Sequence, residues 1–299
     1  MAAKPIVLSI GELLWDVLPS GKRAGGAPVN FSYHATKNGA DGYAFSAVGN
    51  DDLGRELEEA IKEAGVKAIL QHNDHPTSTV EVELNEGIPQ YIFKPDVAWD
   101  HLRCTDELSA LARKADSVCY GTLALRSDES RKAGLEALKV TRPDAMRFFD
   151  INLRGTFYSP DLIHELLNMA TVFKLNDEEL VLLRDMFKIP GDTDAELCQW
   201  FMDEYHLNTI VLTAGSDYST IYLSNGETSR IRTPKIKVAD TVGAGDAFSG
   251  TFAINRLLGA SLVQAHRAAV NTAAFVCSQQ GAWPEYPDQI PDYLAQEGR

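Results

Sequence analysis

Six short, nearly unbroken apolar runs recur along this chain: KPIVLSIGE, GYAFSAVG, SVCYGTL, MRFFDIN, TVFKLN and NTIVLTAG. A strand with one wet face alternates apolar and polar residues, so runs without alternation belong to strands buried on both faces. Helical patterns lie between several of them. In DDLGRELEEAIKEAG, Leu53, Leu57, Ile61 and Ala64 share one helix face. SPDLIHELLNMA opens with Ser159 as a cap and Pro160 at the first helical position. Strands alternating with helices predict an α/β fold, a three-layer α/β/α sandwich around a mostly parallel central sheet. The chain of 299 residues shows no fixed-period repeat and no low-complexity linker, and is read as a single domain over 1–299.

One region breaks the pattern. STVEVELNEGIPQYIF alternates Val80, Val82 and Leu84 with Glu81 and Glu83, turns at Asn85–Gly87 and resumes as a strand. A period of two marks an antiparallel hairpin with one wet face. Together with Leu14 to Ala24 it predicts a small projecting β-sheet over about residues 14–24 and 78–99, either a lid over a cleft or an incidental edge hairpin. Its exposed strand edges are a liability that pairing between subunits would cover, so a lid-to-lid homodimer is expected.

The formal net charge is −14, which argues against nucleic acid or an anionic membrane surface as partner. No run approaches a membrane span. The first apolar run is short and is followed at once by Glu12, unlike a secretory signal. Cys104, Cys119, Cys198 and Cys277 form no C-x-x-C unit and suit scattered thiols in a reducing compartment, so the cytoplasm is the expected location.

DTVGAGDAFSG, Asp240 to Gly250, sets one carboxylate among glycines ahead of a helix whose apolar surface would come from Phe248, Phe252, Ala253, Ile254, Leu257 and Leu258. A glycine loop opening a helix leaves unpaired N–H groups beside the positive end of the helix dipole, which is a phosphate site. Locally, Asp246 is either a helix N-cap or a group that handles a proton near that phosphate. The loop is not a Walker A loop, which needs Lys and Ser/Thr after its last glycine. Nor is it a dinucleotide fingerprint, since Phe248 stands at the third glycine position.

Three stretches together resemble one family. DTVGAGDAF resembles the C-terminal signature of the ribokinase-like (PfkB) carbohydrate kinases, GGAPVNFSYH (Gly25 to His34) is similar to their N-terminal signature, and GELLWDVLP is similar to the opening of the fructokinase branch. VGNDDLGREL follows at the expected distance; it imitates Walker A spacing, but Arg55 and Glu56 replace Lys and Ser/Thr, so it reads as a strand–loop–helix junction. The resemblance runs in order from about residue 6 to about residue 284.

The resemblance implies a Mg²⁺- and ATP-dependent sugar kinase, with fructose as the first choice of acceptor and 2-keto-3-deoxygluconate kinase or ribokinase-type activity as alternatives. A catalytically inactive sugar-binding sensor is the alternative of a different class; loss of the base or of the glycine loop would be its mark, and both are present. By the resemblance, Asp246 is the catalytic base, and the backbone N–H groups of Gly243, Ala244 and Gly245 form an anion hole. Asp16 would accept hydrogen bonds from sugar hydroxyls, its local alternative being a solvated turn residue before Pro19. Gly25 and Gly26 would let the lid hinge and the backbone approach the sugar, and Asn30 would offer donor and acceptor to a second hydroxyl. Lys94 is either a substrate contact or a solvated lysine. In DINLR, Asn152 and Arg154 would face phosphates or acceptor. In KLNDEEL, Lys174 and Asn176 would face the nucleotide and Glu179 would act through water on Mg²⁺, although Asn176 and Glu179 also read as a capping box. Thr213 and Gly215 fit a nucleotide-edge loop, in which Tyr218 departs from the family's second glycine. AAFVCSQQGAWP, with the carbonyl near Asp240, resembles the segment that holds a monovalent cation in some members; carbonyl ligands leave almost no side-chain signature, so K⁺ stays open.

Overall fold

The computed structural model describes residues 3–18, 21–85 and 88–296. Its strands are β1 (Ile6–Ile10), β2 (Leu14–Leu18), β3 (Gly21–Gly25), β4 (Asp41–Gly49), β5 (Lys67–Asn73), β6 (Ser78–Asn85), β7 (Ile88–Phe93), β8 (Ser117–Tyr120), β9 (Met146–Asp150), β10 (Val172–Asn176), β11 (Thr209–Ala214), β12 (Tyr218–Leu223) and β13 (Thr228–Arg232). Among the described residues, nine form one sheet in the order β13-β12-β11-β10-β9-β8-β1-β4-β5. Pairing is parallel from β5 to β11, and β12 and β13 add antiparallel at one edge. The six apolar runs are β1, β4, β8, β9, β10 and β11.

Both faces of these strands are dry, and neighbouring residues feed opposite cores. Leu8, Phe149, Phe173 and Leu212 join a core covered by the helices Asp128–Lys139, Pro160–Leu167, Asp177–Phe187 and Asp194–Tyr205. Val7, Phe148, Val172 and Val211 join the opposite core, covered by Ala27–Lys37, Ala244–Leu257 and Leu262–Cys277. This is a three-layer α/β/α sandwich. On the first face Tyr120, Phe149, Phe173 and Phe201 form a row of rings with successive centroids 5.3, 5.5 and 5.4 Å apart, within the range of favourable aromatic contact.

A separate four-stranded sheet runs β3-β2-β6-β7; the β2–β6 pair is parallel and the two outer pairs are antiparallel. It ends at Phe93, short of the expected residue 99, because Ala98–His101 coils into a 3₁₀ turn that buries Trp99 in the main body. Part of the turn expected at Asn85–Gly87, residues 86 and 87, lies outside the described residues.

Local expectations meet the structure in detail. Ser159 Oγ accepts from the Leu162 N–H, with Pro160 opening its helix. Asp51 caps Asp52–Glu63 through the Gly54 N–H, and Leu57 and Ile61 are buried. Two details differ. Asp246 is not an N-cap: Gly243 occupies that position and the helix begins at Ala244. Leu258 follows the last turn and is 58% exposed rather than in the core. The four cysteines are free thiols, and no helix among the described residues is long and apolar enough to cross a membrane.

Phe149→Ala should therefore destabilise the fold by about 3–5 kcal/mol, whereas Leu258→Ala should change it by no more than about 0.5 kcal/mol. Urea unfolding of the two variants checks the contrast.

Candidate active site

β1 and β8 lie side by side, and from their carboxyl ends the chain runs on to β4 on one side and to β9 on the other. In a parallel sheet such divergence opens a crevice, which is where ligands bind. A cleft of about 300 Å³ lies there. Glu12, Asn152, Lys174 and the 241–246 segment line its floor, and Leu14, Asp16 and Phe93 of the small sheet form a wall.

Asp246 is the third residue of Ala244–Leu257, on a turn whose N–H groups have no intrahelical partners. Ala244 N–H donates to the Thr241 carbonyl at 3.3 Å. The N–H groups of Gly243 and Gly245 make no hydrogen bond among the described residues, and both glycines line the cleft. Gly243 has φ 78°, and a Cβ there would sit 2.7 Å from that of Ala282, so no other residue keeps this loop. Asn30, on the helix Ala27–Lys37, donates from Nδ2 to Asp246 Oδ2 at 2.7 Å, while its Oδ1 accepts from Trp283 Nε1 at 2.7 Å. Both ends of this amide are engaged, so Asn30 first of all orients Asp246. Gly26, φ 130°, opens the same helix where a Cβ would overlap the Glu12 carbonyl.

Two buried acids that sequence reasoning passed over complete the floor. Glu12 follows β1, is 4% exposed and accepts from the Ala27 N–H at 3.1 Å. Asp150 ends β9 and binds Lys174 Nζ at 3.0 Å and Ser249 Oγ at 3.1 Å. The available signal was an acid at the carboxyl end of a doubly buried strand. Burial works against the charge on Lys174, but Asp150, Glu179 and Asp246 outweigh it and hold the amine above the usual lysine range.

The remaining candidates divide. Arg154 and Asn152 line the cleft, Asn152 with φ 40°. Glu179 is buried and accepts from the N–H groups of Leu153 and Asn176, both at 2.8 Å. Asn176 returns the capping-box bond to Glu179 N–H and pairs in register with Thr213 on β11. Gly215 lies just beyond, its carbonyl accepting from Thr233 Oγ1. Tyr218 donates to Asp194 at 2.6 Å under the Arg230 guanidinium. Lys94 does not line the cleft; half-exposed, it pairs with Glu81 at 2.7 Å. The small sheet and the glycine loop are tied together, since Arg23 on β3 binds Asp240 at 2.8 Å and Asp240 also accepts from the Gly281 and Val242 N–H groups.

Burial raises Asp246 from 3.8 to about 6, with the Asp150 charge adding and the Asn30 bond opposing. It raises Asp16 to about 6, opposed by Arg154, and Glu12 to about 7, opposed by backbone donors. A carboxyl group with a raised folded pKa holds its proton more tightly folded than unfolded, so stability falls as pH climbs from about 4 to about 7. Asp246→Asn should thus be more stable than the parent at pH 8 by about 1–2 kcal/mol and equal to it near pH 4; urea unfolding at the two pH values measures this.

Comparison with known proteins agrees with this fold. The pfkB family carbohydrate kinase pattern matches residues 16–289. A probable fructokinase-5 of Arabidopsis thaliana is 27% identical over 96% of this chain and 96% of its own length. The structure of a fructokinase from Xylella fastidiosa with bound ATP superposes with a TM-score of 0.84 at 21% identity, covering 98% of both chains. A fructokinase double mutant from Vibrio cholerae, solved with fructose, ADP and potassium ion, gives 0.80 at 23% identity over 98% of this chain and 99% of its own. At those identities the structures speak for the fold, while the family pattern covers most of the chain, the glycine loop included; the chain belongs to the pfkB family of carbohydrate kinases, and it is a sugar-phosphorylating phosphotransferase.

Proposed function

We propose that the chain transfers the γ-phosphate of ATP to a hydroxyl of D-fructose. The observation that carries this is the Asp246 carboxylate, held by Asn30 beside the unpaired N–H groups of Gly243 and Gly245. A sugar hydroxyl in the cleft donates to Asp246. As its oxygen bonds to the γ-phosphorus, the bond to the β–γ bridging oxygen breaks, the hydroxyl proton passes to Asp246 and ADP leaves. The loop N–H groups and Lys174 meet the charge on the transferring oxygens. Asp16, Glu12 and Arg154 supply acceptors and a donor for the other sugar oxygens, and Asn152, Asn176, Thr213 and Gly215 form the nucleotide side.

The donor set fits a hard, hydrated divalent cation. Asp150 and Glu179 offer carboxylate oxygens that each already accept one protein hydrogen bond, leaving lone pairs for water bridges. Mg²⁺ held there would offset charge on the ATP phosphates. Carbonyls near Asp240 and in the 277–282 segment, joined by the Ala239 N–H to Cys277 carbonyl bond, are the place for K⁺. The cytoplasm, where ATP and free sugar meet, is the proposed location.

A second acceptor has one observation in its favour: Arg154 lines the cleft, as a keto acid such as 2-keto-3-deoxygluconate would require. ADP release with Mg-ATP against fructose, that keto acid, ribose and adenosine, beside a no-sugar control, tests the reading. Fructose is expected to be preferred, with kcat/KM falling below about pH 6 as Asp246 takes up a proton. Asp246→Asn should lower turnover by roughly 10²-fold or more while ATP still binds. Unchanged turnover in that variant removes Asp246 from its role, and sugar binding without any turnover makes the chain a sensor.

Val17 and Ile92, on strands of the small sheet, are each 38% exposed. We propose that this sheet pairs with a second copy of the chain. Light scattering at micromolar concentration should give a dimer mass, and Val17→Lys should shift it to a monomer.

A further inference from the structure

Away from the cleft, where the small sheet rejoins the main body, three side chains with metal-ligating atoms meet. His75 precedes β6, Asp96 follows β7, and His101 ends the 3₁₀ turn Ala98–His101. Their ligand atoms lie within 4.8 Å of one another. Asp96 Oδ1 is 3.0 Å from His75 Nδ1 and 2.8 Å from His101 Nε2. The two imidazoles lie face to face, 3.5 Å apart at 14°. Asp96 has φ 57°, a left-handed conformation uncommon outside glycine.

The neighbours of His101 sharpen the chemistry. Its Nδ1 lies 3.0 Å from Glu129 Oε2, and Arg103 Nε holds the other oxygen of Glu129 at 2.9 Å. An imidazole that donates Nδ1–H to a carboxylate turns the Nε2 lone pair outward, the arrangement found around metal-bound histidines. Here that lone pair faces the Asp96 oxygen, so a positive centre belongs between them, either a second proton or a metal ion. A tetrahedral ion with bonds of about 2.0–2.2 Å needs ligand atoms about 3.3 Å apart and lying in the plane of each ring, so the contacts to Asp96 open by about half an ångström or less and the half-exposed His75 turns out of the stack to bring its lone pair onto the ion.

We propose that His75 Nδ1, Asp96 Oδ1 and His101 Nε2 bind one divalent transition ion of the zinc class, with water as fourth ligand. Two imidazoles and one carboxylate suit Zn²⁺, Co²⁺ or Ni²⁺; Mg²⁺ prefers oxygen donors in an octahedron, so this ion is distinct from one carried with ATP. The side chains of His75, Asp96 and His101 are 36%, 73% and 26% exposed, which gives ion and water a way in. His75 and Asp96 are the two ends of the β6–β7 hairpin, and His101 belongs to the body. The ion would fasten both ends of that hairpin to the main body.

The test is calorimetric titration of Zn²⁺ into the chelator-treated, tag-free chain in excess Mg²⁺, with Co²⁺ absorption reporting the ligand set. One equivalent is expected, bound at micromolar affinity or tighter. His101→Gln and Asp96→Asn should each weaken binding at least about 10-fold, and Glu129→Gln about 10–100-fold. Melting temperatures in EDTA establish that the variants are folded. Glu129→Gln, a conservative change in a half-exposed side chain, keeps the test decisive if a ligand variant fails to fold. Absence of saturable uptake by the parent overturns the proposal. So does uptake undiminished in the His75→Gln/His101→Gln double variant, which would put the ion on other groups such as Cys104.

Discussion

A lysine inside a parallel strand needs compensation from every side, and the cleft of this protein is built around that need. Lys174 is 7% exposed, and Asp150, Glu179 and Asp246 surround it. Each acid sits where its own element ends or begins: Asp150 at the end of β9, Glu179 in the first turn of Asp177–Phe187, Asp246 in the first turn of Ala244–Leu257. Removing the Lys174 amine would leave these acids uncompensated in the interior, a loss that typically destabilises by about 3–5 kcal/mol. The stability of the sheet and the polarity of the cleft are therefore one problem with one solution. Burial in the same place, with the Asp150 charge adding to it and Lys174 opposing, keeps Asp246 able to take up a proton.

Much of this architecture was legible because burial on two faces leaves a plain mark. A strand such as Val172–Asn176 has no wet side, so its apolar residues run together and the lysine within it stands out. β12 and β13 left a weaker mark. They sit at the edge with polar residues such as Arg230 outward and were not read as strands; the turn signal between them, Asn225–Gly226, went unused. Leu258 was assigned to the core because a helical period continues past a helix end, whereas the chain turns away at Gly259.

The site was legible in its residue types more than in its partnerships. Asp246, the glycine loop, Asp16, Asn152 and Arg154 do meet in one cleft. Lys94 does not; its amine pairs instead with Glu81 on β6. Glu12 and Asp150 were passed over since a lone acid after an apolar run is common. Only the third dimension places Glu12 against the Ala27 N–H and Asp150 against Lys174. Asn30 shows the same limit from the other side: a long-range bond to Trp283 has no local trace.

The Arg23–Asp240 pair has a further consequence. It connects two segments more than two hundred residues apart, one in the sheet that walls the cleft and one at the root of the loop with the unpaired N–H groups. Because Asp240 also holds the Gly281 and Val242 N–H groups, the pull of Arg23 is shared by the backbone on both sides of Gly243. A small sheet swung outward would slacken that backbone, and one seated over an occupant would tighten it. Any displacement of the small sheet would thus be passed to the backbone of the glycine loop, with a single guanidinium as the tether.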